Sequence, residues 1–136
     1  MDTIKRLFDL YDEKCEKKLK SKLSATNLNH LTFSHYEYLH HIHTLDQPTL
    51  SELANHLSLS KPSVTVMVNK LLKEGLLEKV QDNQDKRVFH VKLSELGYQV
   101  VMLERQSFYE VTDVIMSKLS TEEQEILLKL IEKGLD

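Results

Sequence analysis

Between Ser60 and Gly75 the chain reads SKPSVTVMVNKLLKEG, and one side of this stretch has the chemistry of a polyanion contact. At helical spacing, Val64, Met67, Val68, Leu71 and Leu72 share an apolar face. The opposite face carries Pro62, Thr65, Val66, Asn69 and Lys73, with Lys61, Ser63 and Lys70 at its edges. That face has cations, hydroxyls and an amide, and no anion before Glu74. Lys61 and Lys70 can meet phosphates, and Ser63 and Thr65 can offer hydroxyls to base edges. The Asn69 amide can pair with adenine through two bonds, and Val66 can touch a thymine methyl. A helix facing only water more often mixes Glu with Lys.

A second group follows at Asp85-Lys86-Arg87, in the polar run QDNQDKR. Arg87 can reach a narrow minor groove, where the negative potential is strongest. Asp85, two residues earlier, points to the same side and can brace the guanidinium through a charge-assisted bond. A solvated surface pair is the alternative for these two.

Charge is distributed accordingly. The chain has 136 residues and a net charge of −3, which argues against nucleic acid until it is mapped. From Ser60 to Leu93 there are seven Lys and Arg against four acids, so this window is +3 and the remainder −6. A basic module on an acidic body orients a molecule toward a phosphate backbone.

The elements that must position these groups are marked by local signals. Ser60 is a serine N-cap, Pro62 sits in the first turn, and Gly75 is placed for a left-handed stop. Before this helix, Thr49-Leu50-Ser51-Glu52 forms a capping box, and Leu50, Leu53, Ala54 and Leu57 face inward. The tight link Leu57-Ser58-Leu59 makes the pair a helix-turn-helix. After Gly75 the period changes. Leu77 to Val80 and Val88 to Leu93 read as strands of a hairpin, the wing of a winged helix.

Three further helices are predicted. Ile4 to Leu23 carries the stripe Ile4, Leu7, Phe8, Tyr11, Cys15, Leu19 and Leu23. Ser94 to Lys118 carries Leu96, Val100, Leu103, Val111, Val114 and Ile115, and a last helix opens at the box Ser120–Glu123 and stops at Gly134. Residues 24–32 read as a polar connector, followed by a helix capped by Ser34 and Glu37 with Leu39, Ile42 and Leu45 inward. The stripes of the terminal helices exceed what a small winged core can cover, so they are expected to pack against a second copy.

Other chemistries are weaker. The single cysteine, Cys15, excludes an internal disulfide framework and points to a reducing, cytoplasmic setting. It reads as a small buried hydrophobe; a redox-sensing thiol is the alternative. His40 and His43 are three apart and could share a divalent ion, but packed or capping roles are commoner for such histidines, and no metal site is assigned. There is no phosphate-cradling glycine loop, nucleophile elbow or clustered ligand set, so no enzyme activity and no cofactor are expected. No run is apolar enough to span a bilayer, and the N-terminus lacks a signal-peptide core.

The segment LSELANHLSLSKPSVTVMVNKLLKEGLLEKVQDNQDKRVFHVKLSELG resembles the MarR family of bacterial transcription regulators. The likeness rests on the leucine-rich first helix, the serine-opened second, GLLEK, Asp85-x-Arg87 and Leu93-Ser94-x-x-Gly97. The flanking helices match in order and length. Val66 stands where many members have arginine, and Asn69 where an acid is common. The resemblance implies one mainly α domain over residues 1–136, with a small β-hairpin: a winged core at about 34–93 and dimerisation helices at about 3–23 and 94–134. It implies a cytoplasmic homodimer on a palindromic DNA operator, a repressor released by a small-molecule or redox effector. The DNA set is Ser60, Lys61, Pro62, Ser63, Thr65, Val66, Asn69, Lys70, Asp85, Lys86 and Arg87. The family also implies an effector cleft near Tyr11, Cys15, Tyr36 and Leu39, between the first, second and fifth helices. The competing readings are a winged helix that binds proteins rather than DNA, and a metal- or thiol-responsive sensor variant.

Overall fold

Helix ends written into the sequence become helix ends in the chain. The computed structural model describes residues 2–135, without the side chain of Ile4. Its elements are α1 (Asp2–Leu23), α2 (Phe33–Leu45), α3 (Leu50–Leu57), α4 (Lys61–Lys73), β1 (Leu77–Gln81), β2 (Phe89–Leu93), α5 (Glu95–Met116) and α6 (Thr121–Leu135). They divide into two compact units, 23–104 and the pair 1–22 with 105–136.

The first unit is a winged helix-turn-helix. Thr49 and Glu52 close a reciprocal box at the start of α3. Ser58 then turns the chain in the left-handed region (φ 54°), and the Leu59 amide donates to the Ala54 carbonyl. Ser60 caps α4 by accepting from the Ser63 amide, with Pro62 in the first turn. Gly75 takes φ 74° and ends α4, as its position predicts. Val64, Val68 and Leu71 of α4 are buried together with Leu53 and Ala54 of α3, Leu39 and Ile42 of α2, and Val91 of β2. Burial of such side chains stabilises by about 1.5–3 kcal/mol each. The hairpin is antiparallel, pairing Leu77 with Leu93 and Val80 with His90. A bridge between Thr49 and His90, and a bond from the Val91 amide to the Pro48 carbonyl, attach β2 to the α2–α3 link.

Ser94 joins α4 to α5. Its hydroxyl donates to the Gly75 carbonyl at 2.6 Å and accepts the Gly97 amide at 3.0 Å, while its own amide donates to the Leu76 carbonyl. A Cβ on Gly97 would lie 2.1 Å from the Leu76 carbonyl oxygen, so only glycine fits where α5 crosses the end of α4. Ser94→Ala removes a cap and leaves one backbone carbonyl without its donor. It is expected to cost about 1 kcal/mol of stability, read as a lower urea midpoint with an unchanged slope.

The second unit contains α1, the later part of α5, and α6. Glu110 receives Lys18 at 3.1 Å and Lys22 at 2.7 Å, which holds its carboxyl below the usual range. The Tyr11 ring meets Phe108 edge-on at 5.1 Å, and its hydroxyl lies 3.0 Å from the Phe108 carbonyl and 2.7 Å from the Thr112 hydroxyl. Ser120 and Glu123 form the expected box, and Gln124 donates to the carbonyls of Met116 and Leu119, closing the α5–α6 turn.

Three expectations need correction. The start of α2 is capped two residues earlier than predicted. Thr32 is the N-cap and its amide donates to Nδ1 of His35 at 2.8 Å, so a histidine takes the place assigned to Glu37. The connector before it is not merely polar, because Leu28 and Leu31 are buried. Finally, α6 continues through Gly134 to Leu135, since a glycine with helical neighbours costs only about 1 kcal/mol relative to alanine. Ile4, the first member of the predicted α1 stripe, lies outside the described side chains.

Candidate nucleic-acid interface

The outer face of α4 is open. Lys61, Pro62, Ser63, Val66, Asn69 and Lys70 are exposed, and Thr65 is half-buried. Val66 is 71% exposed, far more than a valine serving the core of its own chain. The hydroxyls are less free than the sequence implies. Ser60 and Ser63 share a bond at 2.8 Å, and Thr65 donates to the Lys61 carbonyl at 2.8 Å. A hydroxyl that bonds its own helix backbone keeps only acceptor capacity for another partner. Asn69, Lys61 and Lys70 are exposed polar side chains of the same face.

The wing tip is built around two aspartates. One oxygen of Asp82 accepts the amides of Gln84 and Asp85, both at 2.8 Å, which fixes the turn. The Gln81 side chain donates to the Lys86 carbonyl at 2.8 Å, and the Asp82 amide donates to the Val88 carbonyl. Asp85 then takes Nε of Arg87 on one oxygen and Nη2 on the other, each at 3.1 Å, and also accepts the Arg87 amide at 3.0 Å. This bidentate fork lowers the Asp85 carboxyl below its ordinary range and raises Arg87 above its own. The Arg87 side chain is nevertheless 90% exposed, so the brace aims it without covering it. Lys86, beside it, is exposed as well. The expected Asp85–Arg87 contact is thus present in its geometry.

The residues read as an effector set fall in different surroundings. Tyr36 and Leu39 are buried, at 4% and 0% exposure. Tyr11 and Cys15 belong to the unit of terminal helices, where both are half-buried and Cys15 hydrogen-bonds Tyr11. The histidines of α2 do not pair as His40 with His43. His43 stacks edge-on against Tyr98 at 5.6 Å, and His41 bonds His56 of α3 at 3.1 Å. Among the described residues, no group of three His, Cys, Asp or Glu is arranged to hold a metal ion. Nor is any described helix long and apolar enough to cross a membrane. One open cavity of about 360 Å³ lies in the winged unit between the end of α2 and the start of α5, lined by Ile42, His43, Lys92, Leu93 and Tyr98 among others.

Fold and site together define a winged helix-turn-helix protein. Residues 31–89 match the model of the MarR family. The chain is 27% identical over 136 residues to the uncharacterized HTH-type transcriptional regulator YwhA of Bacillus subtilis, covering 98% of each. It is 26% identical over 126 residues to the HTH-type transcriptional regulator BilQ of Clostridioides difficile, covering 93% of this chain and 78% of that one. Among solved structures, a mutant of S. aureus MepR bound to an oligodeoxyribonucleotide superposes with a TM-score of 0.72 at 25% identity, covering 97% of this chain and 95% of that one. Streptococcus pneumoniae FabT in complex with DNA superposes with a TM-score of 0.75 over 98% of this chain and 91% of that one; at 19% identity it bears on the fold alone. Over residues 31–89, which hold α2 to the start of β2, the chain is thus similar to the MarR family.

Proposed function

We propose that the protein is a cytoplasmic, homodimeric regulator that binds a palindromic DNA operator and represses transcription until an effector releases it. The observation that carries this reading is the pairing, in one unit, of an open cationic α4 face with a wing whose exposed Arg87 is preset by Asp85. Such a pair suits major-groove and minor-groove contacts respectively. YwhA and BilQ are HTH-type transcriptional regulators, and the superposed MepR mutant is bound to an oligodeoxyribonucleotide; both support a DNA partner over a catalytic role.

Dimerisation is supported by the terminal helices. Leu7 and Phe8 of α1, Val114 of α5, and Ile126, Leu130 and Ile131 of α6 are each at least half exposed. Apolar side chains recurring along helices that also carry salt bridges are a surface awaiting a partner. A second copy is the occupant that a two-fold operator requires.

Two measurements on the pure protein test the reading. Sedimentation is expected to give twice the 15.9 kDa chain mass at micromolar concentration. Selection from a pool of randomised duplexes is expected to return a two-fold-symmetric consensus. A monomer that retains no duplex at low salt would favour instead a winged helix whose partners are proteins.

A further inference from the structure

His90 of β2 stands between two acceptors. Its Nδ1 is 2.8 Å from the Gln47 carbonyl oxygen, and its Nε2 is 2.9 Å from a carboxylate oxygen of Asp82. A carbonyl and an ionised carboxylate can only accept, so both ring nitrogens must donate, and the ring must be an imidazolium. Flipping the ring leaves this bookkeeping unchanged. The two partners come from different places. Gln47 is in the α2–α3 link, in the left-handed region at φ 63°, and Asp82 follows β1. His90 therefore ties the hairpin both to itself and to the helices behind it.

Asp82 carries that tie to the tip. The oxygen that does not face His90 gathers the amides of Gln84 and Asp85, and Asp85 holds Arg87. We propose that His90 is a positioning residue for the wing: as an imidazolium clamped between Gln47 and Asp82, it sets the turn that aims Arg87, and its deprotonation releases the wing. The inference rests on the DNA-binding reading for its consequence, though not for its geometry.

The electrostatic setting agrees with the geometry. The Asp85 amide, the His90 ring and the Gln84 amide hold the Asp82 carboxyl down at about 2. Asp82 first, then the Gln47 carbonyl, raise His90 above its ordinary value. The charged groups facing the ring are Asp82 from the turn and Glu52 from α3, both anions that favour the cation. A group whose pKa is raised in the folded state contributes below its unfolded pKa and loses that contribution as pH rises through the folded value. The clamp is thus complete in mild acid and opens as pH rises through the raised His90 value. A neutral ring can satisfy only one of its two acceptors, and the other then faces a lone pair at under 3 Å.

The experiment has a DNA-free arm and a DNA arm. In the free protein, nuclear magnetic resonance should show both imidazole protons of His90 and a titration midpoint above the ordinary histidine value. The backbone amides of Gln84, Asp85 and Arg87 should shift with that same midpoint. A midpoint at or below the ordinary histidine value, or tip amides indifferent to the titration, would overturn the proposal. In the second arm, a duplex recovered by selection from a random pool is titrated at pH 6.5 and at pH 9. Wild-type affinity should fall by at least about threefold across that range. His90→Gln should bind weakly at both pH values, and Asp82→Asn, read for its slope only, should flatten the profile. An Asp82→Asn profile as steep as the wild type's would refute the role of the clamp in binding. If wild type retains no duplex at either pH, the regulatory reading fails, while the DNA-free arm still decides the clamp.

Discussion

Arg87→Ala is expected to weaken binding of the selected duplex by roughly tenfold to a hundredfold, with little change in the melting temperature. The two halves of that expectation have separate causes. The side chain is 90% exposed and, among the described residues, bonds only within its own turn, through Asp85, so its removal costs the fold little. The bidentate fork instead spends its effect on orientation. A guanidinium held by two bonds and a backbone amide samples few rotamers, so less freedom is lost when it enters a groove. Asp85→Ala should therefore weaken binding as well, but by less, because the cation survives and only its aim is lost. Asp85 also sits at the end of the Asp82 turn, so a small change in the tip conformation is expected with it. Equal losses in the two variants would assign the effect to the turn, and no loss in either would leave the wing a solvated loop.

Much of this arrangement was open to reading because its signals are local. The N-caps Thr49, Ser60 and Ser120 act within three residues, and Gly75 declares a left-handed stop by its type. Asp85 and Arg87 are two apart in a turn, so their contact follows from the chain itself. What escaped reading depended on groups with two chemical roles or on distance along the chain. His35 accepts the Thr32 amide through Nδ1, a job that the serine–glutamate code gives to a carboxylate, and so the true start of α2 was hidden behind a better-looking box at Ser34. Leu28 and Leu31 are too few to show a period, yet they bury. His90 and Asp82 meet only because the hairpin register places them together, eight residues apart. Alternation put His90 on the polar face of its strand and could say nothing of its partners.

The division of specificity along α4 is the second large effect. Of the side chains on its open face, Thr65 and Ser63 already bond within the helix and its cap, which leaves Asn69 as the one amide able to pair with a base in two places. Asn69→Ala should cost about 1–3 kcal/mol on the preferred duplex and relax the choice at a single base pair. Lys61→Ala should act differently. It weakens all sequences alike and lowers the salt slope by about one, because a phosphate contact releases a counterion and reads nothing. Val66, 71% exposed, can gain only from an apolar group, and in the major groove that group is the thymine methyl. The half-site core should therefore be A·T-rich, with two half-sites about 10 base pairs apart, centre to centre, to match a two-fold dimer. A selected consensus that is G·C-rich and lacks symmetry would mean that α4 anchors phosphates while the wing reads shape, and Asn69→Ala would then lose affinity evenly across sequences.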